Sequence, residues 1–158
     1  MLRNSESLFI LHKVGENMSK IFLSHSSTDK DFVRPIFDKF GADRCYYDEY
    51  TFEIGMQTMR EIIKSLNKTD IFVVFISEAA LKSDWVKDEL KIAIDDFMNH
   101  KHMLRQIFPI IIDQNISYND GRIPLYLREG DNAHNIRHVI TSELAYHKIK
   151  NQLSRLEL

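Results

Sequence analysis

The hydrophobic residues of this chain fall into short continuous runs separated by stretches with helical spacing. Three runs, residues 20–24, 71–76 and 107–112, have the length and composition of buried strands. Between and after them, hydrophobic residues recur every three or four positions, as on one face of an amphipathic helix. Strands that alternate with helices form βαβ units, so the pattern predicts an α/β fold. We expect a flavodoxin-like three-layer sandwich with a central parallel sheet of about five strands.

Weaker signals complete the first two thirds of the chain. A helix is predicted after residues 26–29, whose Ser, Thr and Asp side chains are common helix caps. Pro35 interrupts its hydrophobic pattern, so this helix should start late or bend there. An edge strand is predicted over 44–47, a second helix over 56–66, and a third over 83–97 that begins at a capping serine.

The last third is less regular. Pro109 lies inside the predicted fourth strand, which should therefore run near an edge of the sheet or contain a bulge. Residues 114–131 lack periodicity, apart from a short fifth strand near 125–127. Hydrophobic spacing then predicts a final amphipathic helix over 133–156.

The alternation of strands and helices also predicts where a site should lie. In parallel α/β sheets, ligands bind beyond the carboxyl ends of the strands, at the point where strand order reverses. Four loops follow strand ends in this sequence, and they begin after Ser24, Asp48, Ser77 and Asp113. We therefore expect any site to be built from these loops.

Composition and charge narrow the function classes. Of the 158 residues, 44% are hydrophobic and 28% charged, a balance typical of a single globular domain. The formal net charge of −2, with no basic run, gives no reason to expect nucleic acid or a membrane surface as partner. The single cysteine, Cys45, excludes an internal disulfide and favours a reducing, cytoplasmic location.

We expect no targeting signal at the amino terminus. Its apolar run, residues 8–11, is shorter than the hydrophobic region of a secretory signal peptide, which has ~7–15 residues. No apolar run approaches the ~20 residues of a membrane span. A second methionine, Met18, directly precedes the first strong strand. We expect residues 1–17 to be a loose extension and residues 18–158 to form one domain.

The sharpest motif lies in the predicted third helix. Ser83 is followed by Trp85 and Glu89, and these last two are four positions apart and so share one helical face. A tryptophan there can exclude water from a carboxylate one turn away. The alternative is that Trp85 only packs and Glu89 is an ordinary surface acid.

Two loops carry weaker signals. Residues 46–56 are rich in aromatic side chains, which either form a contact surface or fold back onto the domain. The segment 23–29 follows the first strand and has amides that could meet a phosphate. Because it lacks glycine, helix capping explains it better than phosphate binding does, and His25 alone is more often a hydrogen-bonded structural group.

Several chemistries have no motif here. The sequence has no HExxH, no CxxC, no glycine-rich phosphate loop and no GxSxG elbow, so we expect no metal and no bound cofactor. A phosphoacceptor receiver domain shares the flavodoxin-like layout but needs an aspartate at the end of strand three and an acidic pair after strand one. Those places hold residues 76–77, Ile-Ser, and 24–25, Ser-His, which argues against that class.

Together, the three motifs resemble a Toll/interleukin-1 receptor (TIR) domain. Residues 21–29 are similar to the first box of the family, and residues 48–56 are similar to its BB loop. Ser83, Trp85 and Glu89 match the Ser-x-Trp-x-x-x-Glu pattern of its third helix. The resemblance covers about residues 20–113.

The resemblance implies an activity and a site. In catalytic members the glutamate of this pattern is essential for NAD+ cleavage, which points to Glu89 as the catalytic residue. NAD+ would then be the substrate rather than a cofactor. The implied substrate-binding residues are Ser24, His25, Tyr47, Asp48, Ser83 and Trp85.

The resemblance also implies self-association. A BB loop from one copy completes the cleft of another in this family, and its counterpart here contains Phe52, Ile54 and Gly55. A signalling or defence role, with activation by crowding or by a partner, would follow. The alternative is a non-catalytic TIR domain that uses the same surfaces only for binding other proteins.

Overall fold

A parallel sheet forms the centre of the molecule. The computed structural model describes residues 19–46, 69–82, 91, 95, 105–128 and 137–156. Within these residues the sheet has five strands in the order β2-β1-β3-β4-β5. Every pairing between neighbours is parallel. The strands are β1 (Ile21–Ser24), β2 (Cys45–Tyr46), β3 (Ile71–Ile76), β4 (Gln106–Ile111) and β5 (Arg137–His138).

Helices follow the strands, as the alternation of patterns predicted. In the described residues they are α1 (Lys30–Phe40), α2 (Glu78–Lys82), α3 (Leu125–Arg128) and α4 (Ser142–Leu156), with a 3₁₀ turn at Ser27–Asp29 before α1. The strand order 2-1-3-4-5 is that of flavodoxin. The predicted flavodoxin-like α/β fold is therefore confirmed. None of the described helices is long and apolar enough to cross a membrane.

The middle strand, β3, is buried along its whole length. Its side chains alternate between the two faces of the sheet. Val73 and Phe75 belong to the core that α1 and α4 cover, and the ring of Phe32 from α1 meets that of Phe75 edge to face at 6.1 Å. Phe72 points the other way and stacks on Phe22 of β1, with ring centroids 5.1 Å apart. Burial on both faces explains why the strand is a continuous apolar run rather than an alternating one.

Helix α1 runs through its proline. It begins at Lys30 and contains Pro35, so the late start is wrong, and the alternative, a bend at Pro35, stays a prediction. Val33 and Ile36 supply the buried side of the helix, and Pro35 is exposed. The backbone hydrogen bond that Pro35 cannot donate therefore lies on the exposed side, where water can satisfy the carbonyl left without it. The helix ends at Gly41, which adopts φ +90° and donates its N–H to Phe37 O at 2.8 Å.

Strand β4 has neighbours on both sides, but Pro109 precedes the first described pair with β5, which agrees with its predicted place near an edge. The register with β3 is continuous, and Pro109 lies opposite Val74. Ile111 O accepts a hydrogen bond from Val139 N at 2.8 Å on the β5 side. Backbone groups two residues apart point the same way, so the nitrogen of Pro109 also faces the β5 side. Pairing with β5 starts only at Ile110, and the missing N–H breaks no bond of that ladder.

Two further expectations for the last third are wrong. Residues 125–127 belong to the short helix α3, and the fifth strand is Arg137–His138 instead. The last helix starts at Ser142 rather than near residue 133. A two-residue strand of polar side chains has no period to detect, and it exists because its backbone pairs with Ile110 and Ile111.

Helix α2 was absent from the sequence prediction. It begins directly after β3, where Ser77 Oγ accepts the N–H of Ala80 at 3.0 Å and thereby caps it. The predicted second helix over 56–66 and the predicted cap at Ser83 lie outside the described residues. Lys91 and Asp95 are helical, as the predicted third helix requires.

Candidate functional site

The carboxyl ends of the three central strands meet at one edge of the sheet. Strand β1 ends at Ser24, β3 at Ile76 and β4 at Ile111. The chain leaves β1 toward β2 on one side, and β3 lies on the other side of β1. The reversal of strand order therefore falls between β1 and β3, and the loops after these strands are the expected place for a ligand.

Two buried polar residues lie at the end of β1 and at the start of the loop that follows it. Ser24 is fully buried in the sheet opposite Val74. His25 is 1% exposed, and its Nδ1 lies 2.9 Å from Leu23 O. Because a carbonyl oxygen only accepts, Nδ1 carries the hydrogen and donates it. The hydrogen bond agrees with a structural role for His25, while its predicted contact with substrate stays a prediction.

A side-chain hydrogen bond joins the loop after β1 to the loop after β3. The hydroxyl of Ser77 donates to Oδ2 of Asp29 at 2.5 Å, although the two residues are 48 positions apart. Ser77 is 6% exposed, and Asp29 is half-buried at the start of α1. The two loops on either side of the reversal in strand order are thus connected by one short contact.

Asp29 lies in an environment that opposes its charge. Burial is the largest influence and raises the pKa of its carboxyl, with a smaller contribution in the same direction from the nearby Asp113. The hydrogen bond from Ser77 and the charge of His25 act in the opposite direction and lower the pKa. The net effect is a raised pKa, so Asp29 takes up a proton at a higher pH than an ordinary aspartate does.

An open cleft of about 580 Å³ lies against these loops. It extends from the start of α1 to the residues after β4, and within the described residues its lining has three aspartates and no lysine or arginine. Its apolar walls come from three side chains, those of Phe32, Ile112 and Ile140. The described part of this edge therefore combines carboxylates with apolar surface, a combination that suits a ligand with a positive charge.

Arg122 holds the first residue of α2 from the outside. Its guanidinium donates to both carboxylate oxygens of Glu78, at 2.6 and 2.9 Å, and to Oδ2 of Asp120 at 2.8 Å. These hydrogen bonds lower the pKa of Glu78, lower the pKa of Asp120 to about 2, and raise the pKa of Arg122. The paired fork-to-carboxylate geometry fixes orientation as well as distance.

The structure describes two of the residues that the sequence singled out, Ser24 and His25, and it brings them together in the loop after β1. The others lie outside the described residues: Tyr47, Asp48, Phe52, Ile54, Gly55, Ser83, Trp85 and Glu89. Among the described residues, no group of three His, Cys, Asp or Glu side chains could hold a metal ion.

Sequence reasoning missed the pair Asp29 and Ser77. The sequence marked Ser77 only as the residue before a loop, and Asp29 only as a helix cap and the last residue of the segment 21–29. The one available signal was that both polar residues closely follow strand ends at the reversal of strand order. That signal indicates proximity, but it does not choose partners among the several polar residues nearby.

Comparison with known families decides the class of the domain. Residues 21–140, most of the chain, match the sequence model of the TIR domain. The chain belongs to the TIR domain family. The resemblance that the three motifs implied is thereby confirmed.

Relatives of this TIR domain include proteins named for reactions of NAD+. It is 33% identical over 92 residues to a 2' cyclic ADP-D-ribose synthase of Acinetobacter baumannii, which covers 56% of this chain and 34% of that protein. It is 30% identical over 125 residues to a probable 2' cyclic ADP-D-ribose synthase of Methanobrevibacter olleyae, with 77% and 36% covered. An NAD(+) hydrolase of Escherichia coli is 38% identical over 72 residues, with 44% and 24% covered. The chain thus spans about a third of the length of these relatives, or less.

A solved structure supports the fold. The TIR domain of a Toll-related receptor from Hydra magnipapillata superimposes with a TM-score of 0.59, covering 87% of this chain and 98% of that one. At 13% identity, this likeness concerns the fold alone.

Proposed function

We propose that this TIR domain cleaves the bond between nicotinamide and ribose in NAD+, with Glu89 as its catalytic residue. Two findings that agree support the proposal. Relatives in three organisms are named NAD(+) hydrolase or 2' cyclic ADP-D-ribose synthase. This chain also has the family's Ser-x-Trp-x-x-x-Glu pattern, in which Glu89 is the acid.

The reaction suits a single carboxylate. Nicotinamide in NAD+ is already a cationic leaving group, so it departs with the electron pair of the broken C–N bond and needs no protonation. The ribose develops positive charge at C1′, as in glycoside cleavage. A carboxylate held near that carbon stabilises the charge in the transition state more than in the ground state. Glu89 would provide this group.

The nucleophile determines the product. Water adds to C1′ and loses a proton, which gives ADP-ribose. A nucleophile of the same molecule, such as its adenine or a ribose hydroxyl, gives a cyclic isomer instead. Glu89 would accept or direct the proton in either case.

The remaining substrate contacts are proposed from position. Ser24 and His25 lie at the carboxyl end of β1, beside the reversal of strand order. Tyr47 and Asp48 follow the described end of β2, and Ser83 and Trp85 belong to the pattern of Glu89. We assign these six residues to NAD+ binding, as expected for loops at this edge of a parallel sheet.

The test is NAD+ turnover by wild type and Glu89→Gln, with nicotinamide and ADP-ribose products separated by chromatography. The amide keeps the size of the side chain but removes its charge, so we expect turnover to fall at least about 100-fold. Glu143→Gln is the matched control, because Glu143 is an exposed glutamate in the first turn of α4, and it should keep wild-type turnover.

Stability separates a catalytic effect from an unfolding effect. Glu89 lies outside the core stripe of its predicted helix, so Glu89→Gln should change the free energy of unfolding by less than about 1 kcal/mol. Unchanged turnover in this variant would remove the catalytic assignment. A wild type that never cleaves NAD+, even at high concentration, would favour the non-catalytic binding domain.

A further inference from the structure

The hydroxyl of Ser77 takes part in two hydrogen bonds with opposite roles. It accepts from the N–H of Ala80 at 3.0 Å and donates to Oδ2 of Asp29 at 2.5 Å. A hydroxyl has one hydrogen, and an ionised carboxylate only accepts. The direction is therefore defined, from Ala80 N–H to Ser77 and from Ser77 O–H to Asp29. The cap of α2 and the loop after β1 share one hydrogen-bonded chain.

The centre of this pair of hydrogen bonds, at Ser77, is buried. Ser77 and Ala80 are 6% and 3% exposed, so water offers little competition for the bond between them, while Asp29 is half-buried at the cleft. Hydrogen bonds in such surroundings are stronger and have better-defined geometry than exposed ones. On its outer side, the first turn of α2 is held by the bidentate contact between Glu78 and Arg122. The start of α2 is thus held on both sides.

These hydrogen bonds join the loop after β1, which the proposed function assigns to NAD+, to the helix that directly precedes the segment of Glu89. Asp29 closes the loop that begins with Ser24 and His25. Helix α2 ends at Lys82, directly before the pattern that contains Glu89. A shift of α2 relative to the loop after β1 would therefore move the start of the Glu89 segment relative to the substrate-binding loop. A misplacement of about 1 Å at a reacting centre can lower a rate by about 100-fold.

We propose that Asp29 and Ser77 are positioning residues for NAD+ cleavage, which keep the segment containing Glu89 in register with the loop after β1. This inference rests on the proposed function. Neither residue needs to touch NAD+ for this role. Their effect should therefore appear in kcat, through the geometry of Glu89, and much less in KM.

The first experiment measures kcat and KM for NAD+ in Ser77→Ala, Ser77→Thr and Asp29→Ala, with thermal melts to confirm folding. We expect both alanine variants to lose about tenfold or more in kcat while KM stays within about twofold. Ser77→Thr retains a hydroxyl that can cap and donate, so it should retain at least about half of the wild-type kcat. Asp38→Ala, an exposed aspartate on α1, is the matched control and should behave as wild type.

The second experiment tests the hydrogen bonds of Ser77 by amide hydrogen exchange, without any substrate. Amide hydrogen exchange at Ala80 should become at least about threefold faster in Asp29→Ala and remain unchanged in Asp38→Ala, because Asp29 reaches that amide only through Ser77. Unchanged exchange in Asp29→Ala would overturn the inference, as would a threonine variant as slow as the alanine one.

The two proposals fail in different ways. A fully active Asp29→Ala in a protein whose Glu89→Gln variant is inactive overturns the positioning role alone. A wild type without NAD+ turnover overturns the proposed function and with it the catalytic part of this inference, whatever the exchange rates.

Discussion

Burial of Cys45 changes the pKa of its thiol and thereby its reactivity. It lies in β2 against the core and is 6% exposed. Burial raises the pKa of its thiol to about 12, although the charges of Arg44 and Lys20 act in the opposite direction. The thiolate is the reactive form of cysteine, so this residue is a packing group rather than a nucleophile.

We expect iodoacetamide to leave Cys45 unmodified in the folded protein at pH 8. With the pKa near 12, about one thiol in ten thousand is ionised at that pH, against about one in four for an ordinary cysteine. Labelling followed by mass spectrometry should be at least about 100-fold slower in native protein than in urea. Cys45→Ala supplies the background. Rapid, stoichiometric labelling of the native protein would show that this strand is more open than described.

At the scale of elements, the loop between β4 and α3 is a series of short turns. Asp113, Ser117 and Asp120 each accept, through the side chain, a backbone N–H two residues further on. Ile116 and Ile123 are buried and anchor the loop to the domain. From this loop Arg122 reaches Glu78 and connects the segment to α2.

The contribution of Arg122 should depend on pH. The pKa values of Glu78 and Asp120 are lowered in the folded protein, so both carboxylates stabilise it above their ordinary values of 4.5 and 3.8. This stabilisation is lost as the pH falls through the lowered pKa values, and for Asp120 that value is about 2. We therefore expect the Tm difference between wild type and Arg122→Gln to be largest near neutral pH and to disappear toward pH 2.

Thermal melts from pH 7 to pH 2 measure this difference. Because Arg122 is exposed and the two carboxylates are only partly buried, the whole effect should be small and should shrink further in high salt. Arg155→Gln is the control, since Arg155 is an exposed arginine in the last turn of α4. A difference for Arg122→Gln that stays constant with pH would show that the charges of Glu78 and Asp120 are not its cause.

For the whole molecule, we propose that NAD+ cleavage depends on self-association through residues 49–55. This segment lies outside the described residues and contains Phe52 and Ile54. Burying one such side chain against a second copy contributes roughly 1.5–3 kcal/mol. Since about 1.4 kcal/mol changes an affinity tenfold, one side chain can shift weak association by a decade or more.

Turnover per molecule should therefore rise with protein concentration, and Phe52→Ala should reduce it chiefly in dilute solution. A hundred-fold dilution series, with light scattering on the same samples, measures both quantities. Leu144→Ala is the control, because Leu144 is a hydrophobic residue of α4 that is 50% exposed. Constant turnover per molecule, together with a monomer at every dilution, would contradict the assembly model. A lower Tm in Phe52→Ala would show instead that Phe52 packs onto its own domain.

Local patterns in the sequence determined the long strands, the first helix and the family. The runs that became β1, β3 and β4, and the helical spacing of α1, are set by residues within a few positions of one another, so periodicity detects them. The three motifs that led to the TIR family are equally local. The residues of the proposed active segment, Glu89 above all, come from that local pattern and stay predictions.

Only the tertiary structure decided the contacts between distant residues. Strand β5 exists through pairing with β4, and α2 starts where Ser77 caps it. Asp29 finds Ser77 across 48 positions because strand order brings the ends of β1 and β3 together. Hydrogen-bond partners are chosen by folding many such segments at once. A single sequence records which side chains can donate or accept, and the packing of the sheet determines which of them meet.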